Sequence, residues 1–402
     1  MATSWLTSDD LIAAIKRKIS FPLSQRTFSE NDVLLFANEE MMISQVPSVL
    51  SFHEEYYVMT VKVPMRSNVN RYAIPDRAIG MKLRNIFWLD SEDNYYEMTR
   101  VQSEDKAFFS YNSGNNTAIQ KFYLENNDVV LCPKVGENPS GALQMEFFVR
   151  PNQLVKNERA AIISAFASKM ILSNADISPG DTVSIGGVTF IADTDFAIGA
   201  SSTETATNLV TVINTNGIVS ASNGSPSTGT VTATFSNFDY VFTTSNTTGF
   251  AVDANKSIQF SSVPTHIEDG QLVDFLQTKG GHKIRAYDIA IPSNGISGLI
   301  IDFDADDVPS DLLVGDYICS SNECIIPFLP DDLHTGLADR TCARILSAIG
   351  DQEGLASQNA KIQENEMRQA TLLDNRVEGT PQKVLANGTF LRYGKMGTRR
   401  RT

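Results

Sequence analysis

The side chains best suited to proton transfer or metal binding are four histidines, His53, His266, His282 and His334, and they are scattered along the chain. None sits in an HExxH or HxH arrangement, and His53-Glu54-Glu55 lacks the second histidine that a zinc hydrolase places one helical turn on. Surface or structural roles suit them better. The four cysteines, Cys132, Cys319, Cys324 and Cys342, are too few for a disulfide-stapled scaffold. Ser-Ser-Asn-Glu separates Cys319 from Cys324, which is neither a CxxC redox pair nor half of a zinc finger, so free or buried thiols are expected. Asp302, Asp304, Asp306 and Asp307 alternate oxygen ligands as a calcium loop does. No glycine marks the bend and no glutamate closes the set, so a solvated acidic loop is the better reading. The phosphate-binding GxxxxGK[ST], the dinucleotide fingerprint and the GxSxG nucleophile elbow are absent. Glu92-Asp93 and Glu104-Asp105 are merely adjacent, which does not set a general acid opposite a base. No catalytic residue, metal or cofactor is expected.

The aromatic pairs Phe87-Trp88, Tyr95-Tyr96 and Phe108-Phe109 could stack on bases. Only Lys82 and Arg84 lie nearby, too sparse to hold a nucleic-acid backbone, and sheet core or protein interface explains the pairs better. Thirty-three Lys and Arg against 47 Asp and Glu give a net charge of −14, which argues against a basic nucleic-acid-binding domain. The charge is segregated. Arg392, Lys395, Arg399, Arg400 and Arg401 stand in the last twelve residues with no acid among them, leaving 28 bases against 47 acids elsewhere. Such a tail could touch phosphates weakly, or dock into an acidic groove on another subunit.

These residues need positioning elements, and 402 residues suggest two or three structural units. We expect an α+β protein: a helical bundle, an antiparallel β region, an inserted small β-rich domain and an extended C-terminal tail. Residues 1–48 read as two N-terminal helices. Thr7 or Ser8 caps the first, and Ser29 with Asp32 starts the second, which runs to about Ser44 before Pro47. Residues 49–169 read as a β-rich body, with strands at Tyr56–Val63, Leu83–Trp88, Lys121–Leu124, Val129–Cys132 and Met145–Val149. From Met170 to Asn255 there is no Lys or Arg. Thr182–Ile185 and Val188–Ala192 flank Gly186-Gly187 as a hairpin, a helix is expected over Thr203–Asn214 after Ser202, and strands over Val231–Phe235 and Tyr240–Thr244. Residues 170–255 are therefore read as an inserted domain. The body returns over 256–330, with strands at Val273–Thr278, Ile284–Tyr287 and Ile296–Phe303. Helices Leu333–Ile349 and Glu353–Asn375 fill 331–376, and 377–402 is the basic tail. The second of those helices is so polar that it must pack into an assembly or stand exposed. The N-terminus lacks a secretory signal pattern and no stretch is apolar enough to span a membrane, so cytoplasmic synthesis without a membrane partner is expected.

Five stretches carry a resemblance: FSENDVLLFANEEMM, VPSVLSFHEEYYV, RYAIPDRAIGMKLRNIFWLD, Phe148–Val155, and FLPDDLHTGLADRTCARILSAIGDQEG. Across 1–165 and 256–385 the chain resembles the head-to-tail connector (adaptor) proteins of tailed bacteriophages, and 173–255 resembles small immunoglobulin-like domains inserted in phage tail and neck proteins. The resemblance implies a non-enzymatic virion protein of the neck. It forms a ring, commonly of twelve copies, which joins the portal protein to the tail or further neck proteins. Double-stranded DNA passes through its channel without sequence recognition. It also implies that the two C-terminal helices form the ring wall, with Leu337, Cys342, Ile345, Leu346, Ile362 and Met367, and that Arg392, Lys395, Arg399, Arg400 and Arg401 dock on the portal. A tail or baseplate structural protein is the alternative.

Overall fold

A computed structural model describes residues 6–19, 28–102, 104, 121–132, 141–223, 229–278 and 283–372. The chain is mixed α+β, with few helices and several antiparallel sheets. Helix α1 (Ser8–Ile19) starts at Thr7, whose hydroxyl accepts from the Asp10 amide at 3.3 Å. Helix α2 (Glu30–Glu40) opens with the anticipated capping box: Ser29 accepts from the Asp32 amide, and the Asp32 carboxylate accepts from the Ser29 amide at 2.8 Å. The chain does not break before Pro47. It continues through a π-turn, Met41–Gln45, into α3 (Val46–Phe52). A proline lacks the N–H of the helical ladder and its ring crowds the carbonyl four residues earlier; a widened turn just upstream removes the clash while the helical course goes on.

Helix α4 (Ser202–Asn216) is capped by Ser201 rather than Ser202, the Ser201 hydroxyl accepting from the Glu204 amide at 3.2 Å. It ends at Gly217 in the left-handed conformation. Helix α5 (His334–Ile349) stops at Gly350 in the same way, and α6 (Gln352–Leu372) follows at once. Helices α1, α2 and α6 all pack on α5. Leu11, Ile15, Val33 and Ala37 share one core with Leu337 and Ile345, so both ends of the described chain are fastened together. His334 reinforces this from full burial, its Nδ1 accepting from the Leu6 amide at 3.0 Å while Nε2 lies 3.2 Å from the Leu329 carbonyl.

The β region begins with strands β1 (Val58–Pro64), β2 (Ala78–Leu89), β3 (Tyr95–Glu97) and β4 (Ala142–Val149). They form an antiparallel four-stranded sheet in the order β1-β4-β2-β3. Tyr56 and Tyr57, expected in the first strand, belong to a 3-10 turn before it. There the buried Tyr57 hydroxyl donates to the Phe328 carbonyl at 2.8 Å. A larger, ten-stranded sheet contains β5 (Ala161–Leu172), β6 (Thr230–Phe235), β7 (Lys256–Phe260), β8 (Leu272–Leu276), β9 (Ile284–Ala290), β10 (Ile300–Phe303) and β11 (Tyr317–Ser320). The expected strand Ile296–Phe303 is in fact a hairpin, Ile296–Ser297 against β10, and Tyr240–Thr244 shortens to Thr243–Thr244. The hairpin at Gly186-Gly187 forms as read, both glycines at positive φ as a tight two-residue turn needs.

Two apolar cores result. The first joins the helices to the four-stranded sheet, and the second, from Ala161 to Ile318, surrounds β5 and α4. The composition change after Lys169 falls inside β5, which pairs with β11 at its start and with β6 and the Phe250–Val252 strand at its end. Between the sheets, the buried Arg77 donates to Asp274 and Asp288, both at 2.8 Å, and to Asn152 at 2.9 Å. Asn152 returns a 2.6 Å bond to Asp274, which also accepts from the Asn322 amide. Burial alone would weaken the Arg77 charge, but the two carboxylates hold its pKa above the usual arginine value.

Candidate functional site

The residues proposed for a wall sit on α5 and α6, and geometry divides them. Leu337, Cys342, Ile345 and Leu346 face the interior and bind α5 to its own chain; the Cys342 thiol reaches the Ile15 carbonyl of α1. Burial pushes that thiol up to about 12, so it is inert. Ile362 is half-buried in α6, and the side chain of Met367 lies outside the described residues. The five basic tail residues, Arg392, Lys395, Arg399, Arg400 and Arg401, also lie outside them.

What holds α6 is a polar hub that hydropathy gives no reason to single out. Asp339, almost buried on α5, accepts from Lys18 of α1 at 2.6 Å, from Gln358 at 2.8 Å and from Asn365 at 3.2 Å. Three helices thus converge on one carboxylate. The signal was present as spacing: Leu355, Gln358, Ile362 and Asn365 recur at three and four residues, one stripe of alternating apolar and amide side chains. Arg340 pairs with Glu366, and Arg344 reaches Glu39 at 2.6 Å and Glu40 at 2.7 Å. Between α2, α5 and α6 lies a cleft of about 720 Å³ with Phe36, Ala343, Leu355 and Ile362 in its walls and these ion pairs at its rim.

A second cleft, of about 710 Å³, lies where α2 meets the segments around Gln153–Arg159 and Pro264–His266. Its cations are already neutralised: Arg159 donates to both oxygens of Glu323 at 2.7 and 2.9 Å, and Lys156 meets Glu30 at 2.7 Å. Glu30, at the start of α2, is also reached by Lys16 at 2.8 Å, and hydrogen bonds from Lys156 and Lys16 hold its carboxyl at about 2. Burial, aided by Arg159, lowers the pKa of His266, whose buried Nε2 has no hydrogen-bond partner.

The remaining sequence candidates are dispersed. Asp302 is bonded to Lys169 at 2.7 Å and to Ser257 at 2.6 Å, and Asp304 accepts from the Asp306 amide. Among the described residues no group of three or more His, Cys, Asp or Glu is arranged to hold a metal. Cys319 and Cys324 are buried, and desolvation raises both thiols. Phe87–Tyr95 and Trp88–Tyr96 are cross-strand ring contacts between β2 and β3, with centroids 6.0 and 5.0 Å apart, while Tyr95 and Tyr96 remain exposed. Phe108, Phe109 and His282 lie outside the described residues. Among the described residues no helix is long and apolar enough to cross a membrane. Comparison with protein-family models and with curated proteins finds no match to this chain.

Proposed function

We propose that this chain is a structural protein of a phage virion: a head-to-tail connector that forms a ring beneath the portal, in about twelve copies, and continues the DNA channel toward the tail. The observation that carries this reading is the helical layer. Helices from both ends of the described chain converge on α5, and the last of them, α6, precedes the basic tail in sequence. We read α1, α2, α5 and α6 as the bundle that builds the ring wall, with the buried Leu337, Cys342, Ile345 and Leu346 making each wall segment rigid. Residues 170–255 are read as an inserted domain on the outside of the ring, near other neck or tail proteins. The acidic body, repeated around a channel, repels phosphate and lets DNA slide. Arg392, Lys395, Arg399, Arg400 and Arg401 are then the portal-docking residues, opposite in charge to the rest of the chain.

Deleting residues 392–402 tests the docking. Binding to the portal, measured by co-sedimentation, should fall at least tenfold while the melting temperature stays unchanged. Portal affinity equal to that of the full chain would remove the tail from the account.

A further inference from the structure

We propose that the four-stranded sheet continues from one copy of this chain to the next, the outer edge of β1 pairing with the outer edge of β3. The inference deepens the ring reading, from which it takes only that the partner is a second copy. Among the described residues neither edge has a strand beside it. An uncovered strand such as β1, Val-Met-Thr-Val-Lys-Val-Pro, is a template for pairing unless something occupies it. Because the order β1-β4-β2-β3 is antiparallel throughout and has four strands, β1 and β3 run in opposite senses. A neighbour's β3 laid along β1 therefore extends the same antiparallel pattern.

The registers within one copy define which residues share a level. Lys62, Gln144, Phe87 and Glu97 form one row across the sheet, so joining copies at that level sets Lys62, whose Nζ lies 3.2 Å from Asp93 in the single chain, opposite the neighbour's Glu97. The next row places Val63 against Tyr96, and the one after places Pro64 against Tyr95. The first two are favourable cross-strand combinations: opposite charges, and a β-branched residue on an aromatic. Tyr95 is 57 % and Tyr96 38 % exposed in the single chain, and half-exposed Val63 would be covered with them.

The backbone agrees. The Met65 amide bonds the Gly141 carbonyl, and the Met98 amide bonds the Ile86 carbonyl. Since strand groups point alternately to the two sides, the N–H and C=O of Lys62 and of Glu97 both point outward. Those two residues can exchange a pair of hydrogen bonds. Pro64, whose nitrogen also faces outward, offers its carbonyl to Tyr95, and a proline so placed is itself a mark of an edge strand.

Cross-linking between Lys62→Cys and Glu97→Cys chains, mixed and mildly oxidised, tests this. Within one copy the two positions are three strand spacings apart, about 14 Å, beyond disulfide reach. The native thiols are buried. The expected result is a disulfide dimer in the mixture but not from either variant alone, and a ladder of larger species from the doubly substituted chain. Lys62→Glu or Glu97→Lys alone should weaken self-association about fivefold per contact, and the double exchange should restore it. An assembly that forms without the cross-link and ignores both reversals overturns the edge pairing but leaves the ring standing. A chain that remains monomeric at every concentration overturns both.

Discussion

Arg77 shows most directly how single residues hold this molecule together. Its guanidinium joins the loop before β2 to Asp274 on β8 and Asp288 on β9, and Asp274 has no exposure to solvent. Replacing Arg77 with Met leaves that carboxylate unpaired in the interior, and we expect a loss of about 3–5 kcal/mol in denaturant unfolding. Replacing both Arg77 and Asp274 with apolar residues should cost less than the single change, because no lone charge remains. At the surface, Glu30 acts more gently. Its pKa is held at about 2, below the ordinary value of 4.5, so its contribution is complete above that value and is lost as pH falls toward 2. Lys16 is exposed and Lys156 partly so, and solvent screening keeps the contribution of these pairs small. The stability gap between the native chain and Glu30→Gln, measured by urea titration, should narrow from pH 5 to pH 2. A gap that does not narrow would mean that the two lysines do not stabilise the folded state through the charge.

Among the elements, local chemistry was readable wherever it was self-contained. The Ser29–Asp32 capping box and the Gly186-Gly187 hairpin each depend on residues a few positions apart, and each formed as read. Pro47 misled because the π-turn that accommodates it leaves no mark in composition or periodicity. Tyr56 and Tyr57 have strand-forming side chains, yet the contact with Phe328 keeps them in a turn, a tertiary override that no local window contains. The Arg77 cluster was invisible for the same reason: its members are distant in sequence. Polar α6 was recognised as needing a partner, and much of that partner is Asp339 within the same chain. Asp339→Ala should therefore strip hydrogen-exchange protection from residues 352–372, at a global cost of about 1–3 kcal/mol. Protection equal to that of the native chain would show that apolar contacts alone hold the helix. Gly141 is a second element-scale test. A Cβ there would stand 1.8 Å from the Leu89 carbonyl oxygen, and φ is +94°, so Gly141→Ala should cost about 2 kcal/mol or more and lower the melting temperature.

For the whole molecule, the acidic body, the basic last twelve residues and the helical layer that joins both ends of the described chain are the features on which the proposed connector reading rests. Sequence resemblance suggested the ring, and the sheet registers suggest how copies meet within it. Both converge on one observable, the closed assembly. Electron cryomicroscopy of the purified chain, alone and with the cognate portal protein, is the most direct test. The account predicts closed rings of about twelve copies stacked on the portal, with α5 and α6 in the wall and β1 of each copy beside β3 of the next. Discrete monomers that neither close into rings nor bind the portal would contradict it.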